Sequence, residues 1–214
     1  MKHILSAFFA FIFFAGCALS QNNDVKIPVG SKQKPSTHES VAYFSEGCFW
    51  HTEIVFQSLT GVRDAVSGYA GGTDTNPDYE KVSSGETGHA ETVQVFYDSS
   101  KISFETLVKA FFASHDPTEL NRQGNDVGTQ YRSIAFYSND KEKQVIEAEI
   151  KKIADAKKYR DKIVTQVVAF KKFYPAEDYH QEYILYHPNN PYVQNVSIPD
   201  FLRFKKEFNG NFKQ

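Results

Sequence analysis

The sequence predicts an α+β fold, a two-layer sandwich of one sheet and a layer of helices with long Gly-rich loops beside it. Three observations carry this expectation. Runs at 41–46, 62–68, 91–97, 132–137 and 163–170 have the alternation or β-branched content of strands. Runs at 49–59, 104–114 and 140–158 have helical spacing and fall between them. The resulting order, β-α-β-β-α-β-α-β, lacks the strict alternation of a doubly wound sheet.

The elements follow in order. Val41-Ala42-Tyr43-Phe44-Ser45-Glu46 reads as a short strand, and Phe49, Ile54, Phe56 and Leu59 then share one side of a helix. Glu91 to Tyr97 alternates cleanly as a strand. Ser103 is a good N-cap for a helix over 104–114. The charged helix over 140–158 turns Val145, Ile146, Ile150 and Ile153 inward, and a helical turn near 176–186 follows the last strand. The first six elements form a ferredoxin-like split βαβ core. The loops at 70–89 and 115–130 are rich in Gly and Asp, and loops of that length are functional or disordered. Tyr79, His89, Tyr131 and Arg132 stand near their ends.

A chain of 214 residues suits one domain with a substantial core and appendages at its ends. A net charge of -2 gives no general reason to expect nucleic acid as a partner. Residues 1–20 read as an export signal: Lys2 precedes an apolar stretch over 4–14 that is short for a membrane span. Phe14-Ala15-Gly16-Cys17 resembles a bacterial lipobox, which makes Cys17 a lipidation site and the chain a lipoprotein on the periplasmic face of a bacterial membrane. Ordinary cleavage after Ala18-Leu19-Ser20 is the alternative, leaving a soluble periplasmic or secreted protein. Residues 21–39 read as a flexible linker, 40–190 as the catalytic domain, and 191–214 as a tail whose Phe201, Phe204 and Phe208 pack on that domain.

Either route leaves Cys48 as the lone cysteine of the mature chain, unable to form an internal disulfide. It stands in Gly47-Cys48-Phe49-Trp50, where a strand gives way to a helix. Backbone N–H groups and the helix dipole there favour thiolate, the nucleophilic form. A small buried hydrophobe is the competing reading.

Seven segments in one order carry a resemblance. They are Gly47-Cys48-Phe49-Trp50, Gly68-Tyr69-Ala70-Gly71-Gly72, Asn76-Pro77-Asp78-Tyr79, Gly88-His89-Ala90-Glu91, His115-Asp116-Pro117-Thr118, the run from Asn121 to Ser133, and the run from Phe173 to Gln181. Over roughly 41–187 the chain resembles the peptide methionine sulfoxide reductase A family. The resemblance implies reduction of the S epimer of methionine sulfoxide, free or in oxidised proteins. By place in the motifs, Cys48 attacks the sulfoxide sulfur and is left as a sulfenic acid. Glu91 is the matching general acid, its proton retained by burial. Tyr79 and Tyr131 match the donors to the sulfoxide oxygen, Asp126 the aspartate that orients substrate, and Phe49 and Trp50 the apolar wall for its methyl group. Glu53, in the first turns of the helix, reads as an acid complementing the dipole. His89 and His180 read as loop-fixing hydrogen-bonders; a Cys-His hydrolase would instead need one of them paired with Cys48.

The departures are informative. His51 replaces a small residue usual in relatives and is expected to narrow or polarise the site mouth. Ser83 and Val193 stand where some relatives have cysteine. The sulfenic acid therefore has no internal partner, and the expected cycle uses one cysteine and an external thiol or thioredoxin-like protein. No metal-ligand spacing, phosphate loop or dinucleotide fingerprint appears, so no bound cofactor is expected. A monomer is the expected state.

Overall fold

A computed structural model describes residues 35–213. The leader, Cys17 and most of the expected linker lie outside the described residues.

Strand β1 (Glu39–Ser45) leads into helix α1 (Phe49–Gln57), and β2 (Val62–Ala70) follows. A short helix α2 (Tyr79–Ser83) interrupts the first long loop before β3 (Ala90–Asp98). Helix α3 (Phe104–Ser114) starts at Ser103, whose hydroxyl accepts a hydrogen bond from the Thr106 amide at 3.1 Å. The second long loop holds a small hairpin, β4 (Arg122–Gln123) and β5 (Asp126–Val127), and a 3₁₀ turn at Thr129–Tyr131. Next come β6 (Ile134–Tyr137), α4 (Asp140–Asp155), β7 (Gln166–Ala169) and β8 (Phe173–Pro175). The chain closes with α5 (Tyr183–Tyr186), a π-helical turn at Val193–Ser197 and α6 (Ile198–Glu207).

The main sheet has the order β7-β6-β1-β3-β2-β8. Strand β3 lies between β1 and β2, antiparallel to both, and β6 pairs antiparallel with β1. That is the split βαβ arrangement of a ferredoxin-like core, with β7 added parallel to β6 and β8 added beside β2. The α+β expectation holds, with three differences. Strand β8 has too few residues to show a period. The hairpin β4–β5, which turns at Gly124-Asn125, lies in a stretch expected as loop. Strand β7 is shorter than the apolar run over 163–170, because it forms a half-exposed sheet edge.

The core lies between the sheet and its helices: Phe44 of β1, Phe56 of α1, Val95 of β3 and Phe111 of α3 are fully buried within it. Rings of Phe44 and Phe56 stack at 4.9 Å. In α4, Ile146 and Ile153 are buried, and Val145 and Ile150 sit half-buried beside them. Phe201 and Phe204 of α6 are fully buried in the same core, and Phe208 packs against its edge. The opposite sheet face is covered by a smaller cluster of Ala70, Ala90, Ile134 and Phe136, over which Tyr43 and Phe170 stack at 3.7 Å. This frame holds the β1–α1 junction against the start of β3, so Cys48 and Glu91 meet.

Candidate active site

Gly47 permits the junction. Its φ is +105°, and a Cβ there would lie 2.7 Å from Cβ of Gln123 in β4. Cys48 then caps α1 through its backbone: its carbonyl accepts from the amides of His51 and Thr52 at 3.1 and 3.2 Å. The amide of Phe49, an orphan donor at the helix start, is taken by the Glu91 carboxylate at 2.9 Å. Glu91 therefore sits in the first turn's field, buried and not at the strand surface.

Burial raises the Glu91 carboxyl to about 8; the Phe49 amide opposes this, and the charge of Asp126 adds to it. At neutral pH it holds its proton. Burial likewise raises the Cys48 thiol well above its ordinary value, with Glu91 and Asp126 adding to the effect. The Trp50 amide and the Tyr192 hydroxyl oppose it. Burial and the neighbouring carboxyls thus oppose the helix field, which favours thiolate at this junction.

Tyr79 and Tyr131 both lie close enough to Glu91, Cys48 and Asp126 to feel their fields. Burial raises Tyr79 to about 12 and Tyr131 further, keeping both as O–H donors. Tyr79 is anchored from below: its amide donates to Glu177 at 2.9 Å, and the other Glu177 oxygen accepts from the Tyr69 hydroxyl at 2.8 Å. Tyr131 arrives on the 3₁₀ turn after the hairpin. The two long loops are tied together there. Arg132 donates to the Gly88 carbonyl at 2.9 Å and to the Thr129 carbonyl at 2.8 Å, and Gln130 donates to the Ser83 carbonyl at 3.0 Å.

The aromatic wall is built on α1. Phe49 is buried in the core and also packs on Tyr79 and His180, with ring centroids 6.4 and 5.0 Å away. Trp50 stacks on Tyr183 at 3.6 Å, and its indole N–H donates to His180 Nδ1 at 3.1 Å. His180 is thereby a wall and an acceptor. His89 is committed to the loop at 71–74: Nδ1 accepts from the Gly72 amide at 3.1 Å and Nε2 bonds the Asp74 carbonyl at 2.8 Å. Both ring nitrogens of His89 are thus engaged, whereas His180 bonds through Nδ1 alone.

The site also holds a residue to which no motif pointed. Tyr192 donates to Asp126, and both line a cavity with Cys48, which brings the tail to the site. Glu53 is buried and raised to about 8 by burial, despite bonds from Ser67 and the Glu182 amide. Held neutral, it cannot complement the helix dipole. It pins the α5 approach to the sheet instead. His51 is a buried wall of a cavity of about 230 Å³ next to Cys48. Among the described residues no group of three or more metal-ligating side chains occurs, and no helix is long and apolar enough to cross a membrane.

The comparisons with known proteins agree with this geometry. The family model for peptide methionine sulfoxide reductase matches residues 40–211, a span that runs through the tail and Tyr192. Peptide methionine sulfoxide reductase MsrA of Pasteurella multocida is 50% identical over 168 residues, covering 78% of this chain and 95% of its own length. The MsrA of Nautilia profundicola is 49% identical, covering 80% and 98%. Methionine sulfoxide reductase A of Corynebacterium diphtheriae superposes with a TM-score of 0.64 at 30% identity, covering 77% of this chain and 90% of that one. A reduced-form structure from Saccharomyces cerevisiae gives 0.68 at 32% identity, covering 76% and 94%. With motif order, fold and matched length all in agreement, the chain belongs to the peptide methionine sulfoxide reductase family and reduces methionine sulfoxide to methionine.

Proposed function

We propose that the chain reduces the S epimer of methionine sulfoxide through Cys48 and a proton held on Glu91. The observation that carries this reading is a half-buried thiol at the start of α1, next to Phe49, whose amide holds a buried carboxyl raised to about 8, with Tyr79 and Tyr131 close enough to feel both groups.

Sulfoxide oxygen is a poor leaving group until it gains a proton. Glu91 supplies that proton while Tyr79 and Tyr131 donate hydrogen bonds to the oxygen, where negative charge develops as sulfur is attacked. The thiol S–H breaks as Cys48 attacks the substrate sulfur, and its proton returns to the Glu91 carboxylate. The oxygen passes to Cys48, methionine leaves with its electron pair, and Cys48–S–OH remains. The pair starts and ends uncharged, which suits a desolvated site better than a free thiolate. Phe49 and Trp50 enclose the methyl group, and Asp126 orients the substrate backbone. An external thiol, small or carried on a thioredoxin-like protein, reduces the sulfenic acid, because Cys48 is the one cysteine among the described residues.

Turnover with separated epimers tests the reading. The S epimer is consumed and the R epimer is left intact; preference for the R epimer overturns it. The export signal and Cys17 support a lipid-anchored periplasmic enzyme. Mass spectrometry of the mature N-terminus reads a diacylglyceryl cysteine if that holds, and an unmodified N-terminus near Gln21 if cleavage alone occurs.

A further inference from the structure

Glu53 lies one turn beyond Phe49 and Trp50 on α1, only 2% exposed, with both carboxyl oxygens bonded. Its Oε1 accepts from the Glu182 amide at 2.7 Å and the Gln57 side-chain amide at 3.2 Å, and its Oε2 bonds the Ser67 hydroxyl of β2. The Ser67 hydroxyl also lies 3.5 Å from the Phe49 carbonyl, and its single proton serves one of these acceptors at a time. A protonated Glu53 satisfies both contacts: the acid O–H donates to Ser67, and Ser67 donates to Phe49. One carboxyl proton thus ties α1, β2 and the approach to α5 together.

That approach carries the back of the aromatic wall. Glu182 sits at φ +51°, a left-handed conformation that a non-glycine residue keeps only where its surroundings hold it. Beside it, the Gln181 side chain accepts from the Ser67 amide and donates to the Ser67 carbonyl, each at 3.0 Å. From this turn His180 takes the Trp50 indole N–H, Tyr183 stacks on the Trp50 ring, and Glu177 takes the Tyr79 amide. Trp50 therefore draws its hydrogen-bond partner and its stacking partner from a segment fastened by Glu53.

We propose that Glu53 is a positioning residue for sulfoxide binding: it holds the turn at 180–183, and through it the ring of Trp50, against the substrate's methyl group. The proposal rests on the reductase reading, which makes Trp50 a wall for that group. Two acids face Glu53, Glu182 from the α5 approach and Asp64 from β2, while Arg63 and Lys213 act on Asp64. Burial and these acids raise the Glu53 carboxyl to about 8. A released turn hydrates the carboxyl and returns it to its ordinary 4.5. The hold is therefore full near pH 4.5 and weakens as pH rises to about 8.

The test is single-turnover methionine release by the full chain at varied free methionine S-sulfoxide, with emission of Trp50, the chain's single tryptophan, recorded alongside. Glu53→Ala at pH 7 is expected to raise the half-saturating sulfoxide about tenfold, leave the maximal rate within about threefold, and move Trp50 emission to longer wavelength. Glu53→Gln keeps both accepted bonds and supplies an N–H for Ser67, so it is expected to restore affinity and emission. In a Glu91→Gln background, which removes the other carboxyl raised to about 8, Trp50 emission is expected to shift between pH 6 and 9, and adding Glu53→Gln is expected to abolish that shift. Glu53→Ala with wild-type affinity and emission, Glu53→Gln as impaired as Glu53→Ala, or a pH shift that survives Glu53→Gln overturns the proposal. If Glu53→Ala does not fold, the Glu53→Gln comparisons decide alone. Absence of methionine release by the wild type would instead remove the reductase reading, while the emission comparison still reports the turn.

Discussion

At Glu91 the pocket inverts the ordinary behaviour of a carboxyl. Its folded value of about 8 lies above the ordinary 4.5, so the folded state holds a proton the unfolded chain has lost between those values. Stability contributed at this position is therefore present below about pH 4.5 and falls as pH rises toward 8. Glu53, also raised to about 8, adds a slope of the same sign. Glu91→Gln is expected to flatten the decline of unfolding free energy between pH 5 and 9, by an amount on the order of a few kcal/mol. Denaturant titrations across that range check this, and an unchanged slope would mean that the carboxyl is ionised in the fold. The same variant should slow methionine release in a single turnover by about 10²–10⁴-fold. Because the neutral pair reacts, the wild-type single-turnover rate should be flat below pH 7 and fall as pH rises through about 8. A rate that climbs to pH 8 and then levels would point to prior loss of the thiol proton. Residue identities at this site were legible because the motifs are local. Their protonation was not, since desolvation by distant elements decides it.

Among the elements, the β1–α1 junction carries most of the geometry. Gly47→Ala places a side chain at φ +105° and against Gln123, so a destabilisation of about 1–3 kcal/mol is expected in urea unfolding. Because Gln123 belongs to the hairpin that carries Asp126 and precedes Tyr131, single-turnover rate should fall as well. A variant as stable and as fast as wild type would show that the junction tolerates a Cβ. Ser103→Ala, by contrast, removes only a cap and is expected to cost about 1 kcal/mol with no change in rate. Helices and long strands could be read from periodicity because a buried face repeats over several turns or residues. Helix α2 was readable in principle: Asp78 caps it, accepting from the Lys81 amide at 3.0 Å, directly after Pro77. Strand β8 has no such signal, and its position is set by its pairing with β2, whereas the hairpin turns locally at Gly124-Asn125, with Gly124 at φ +58°.

Over the whole molecule, the tail is part of the catalytic unit. Phe201 and Phe204 fill the core, while Tyr192 on the same segment bonds Asp126 and lines a cavity with Cys48. The amphipathic phenylalanine face predicted the first contact; the second needed the folded path of the π turn and has no pattern in the sequence. The central claim is that one sulfur, beside one neutral carboxyl, takes the oxygen from methionine sulfoxide. Its most direct test is to mix the full chain with one equivalent of S sulfoxide without reductant, then trap with dimedone and map the adduct by mass spectrometry. One methionine per chain and a single adduct on Cys48, both abolished by Cys48→Ser, are the expected result. Methionine formed without an adduct at Cys48, or undiminished in Cys48→Ser, would contradict the account.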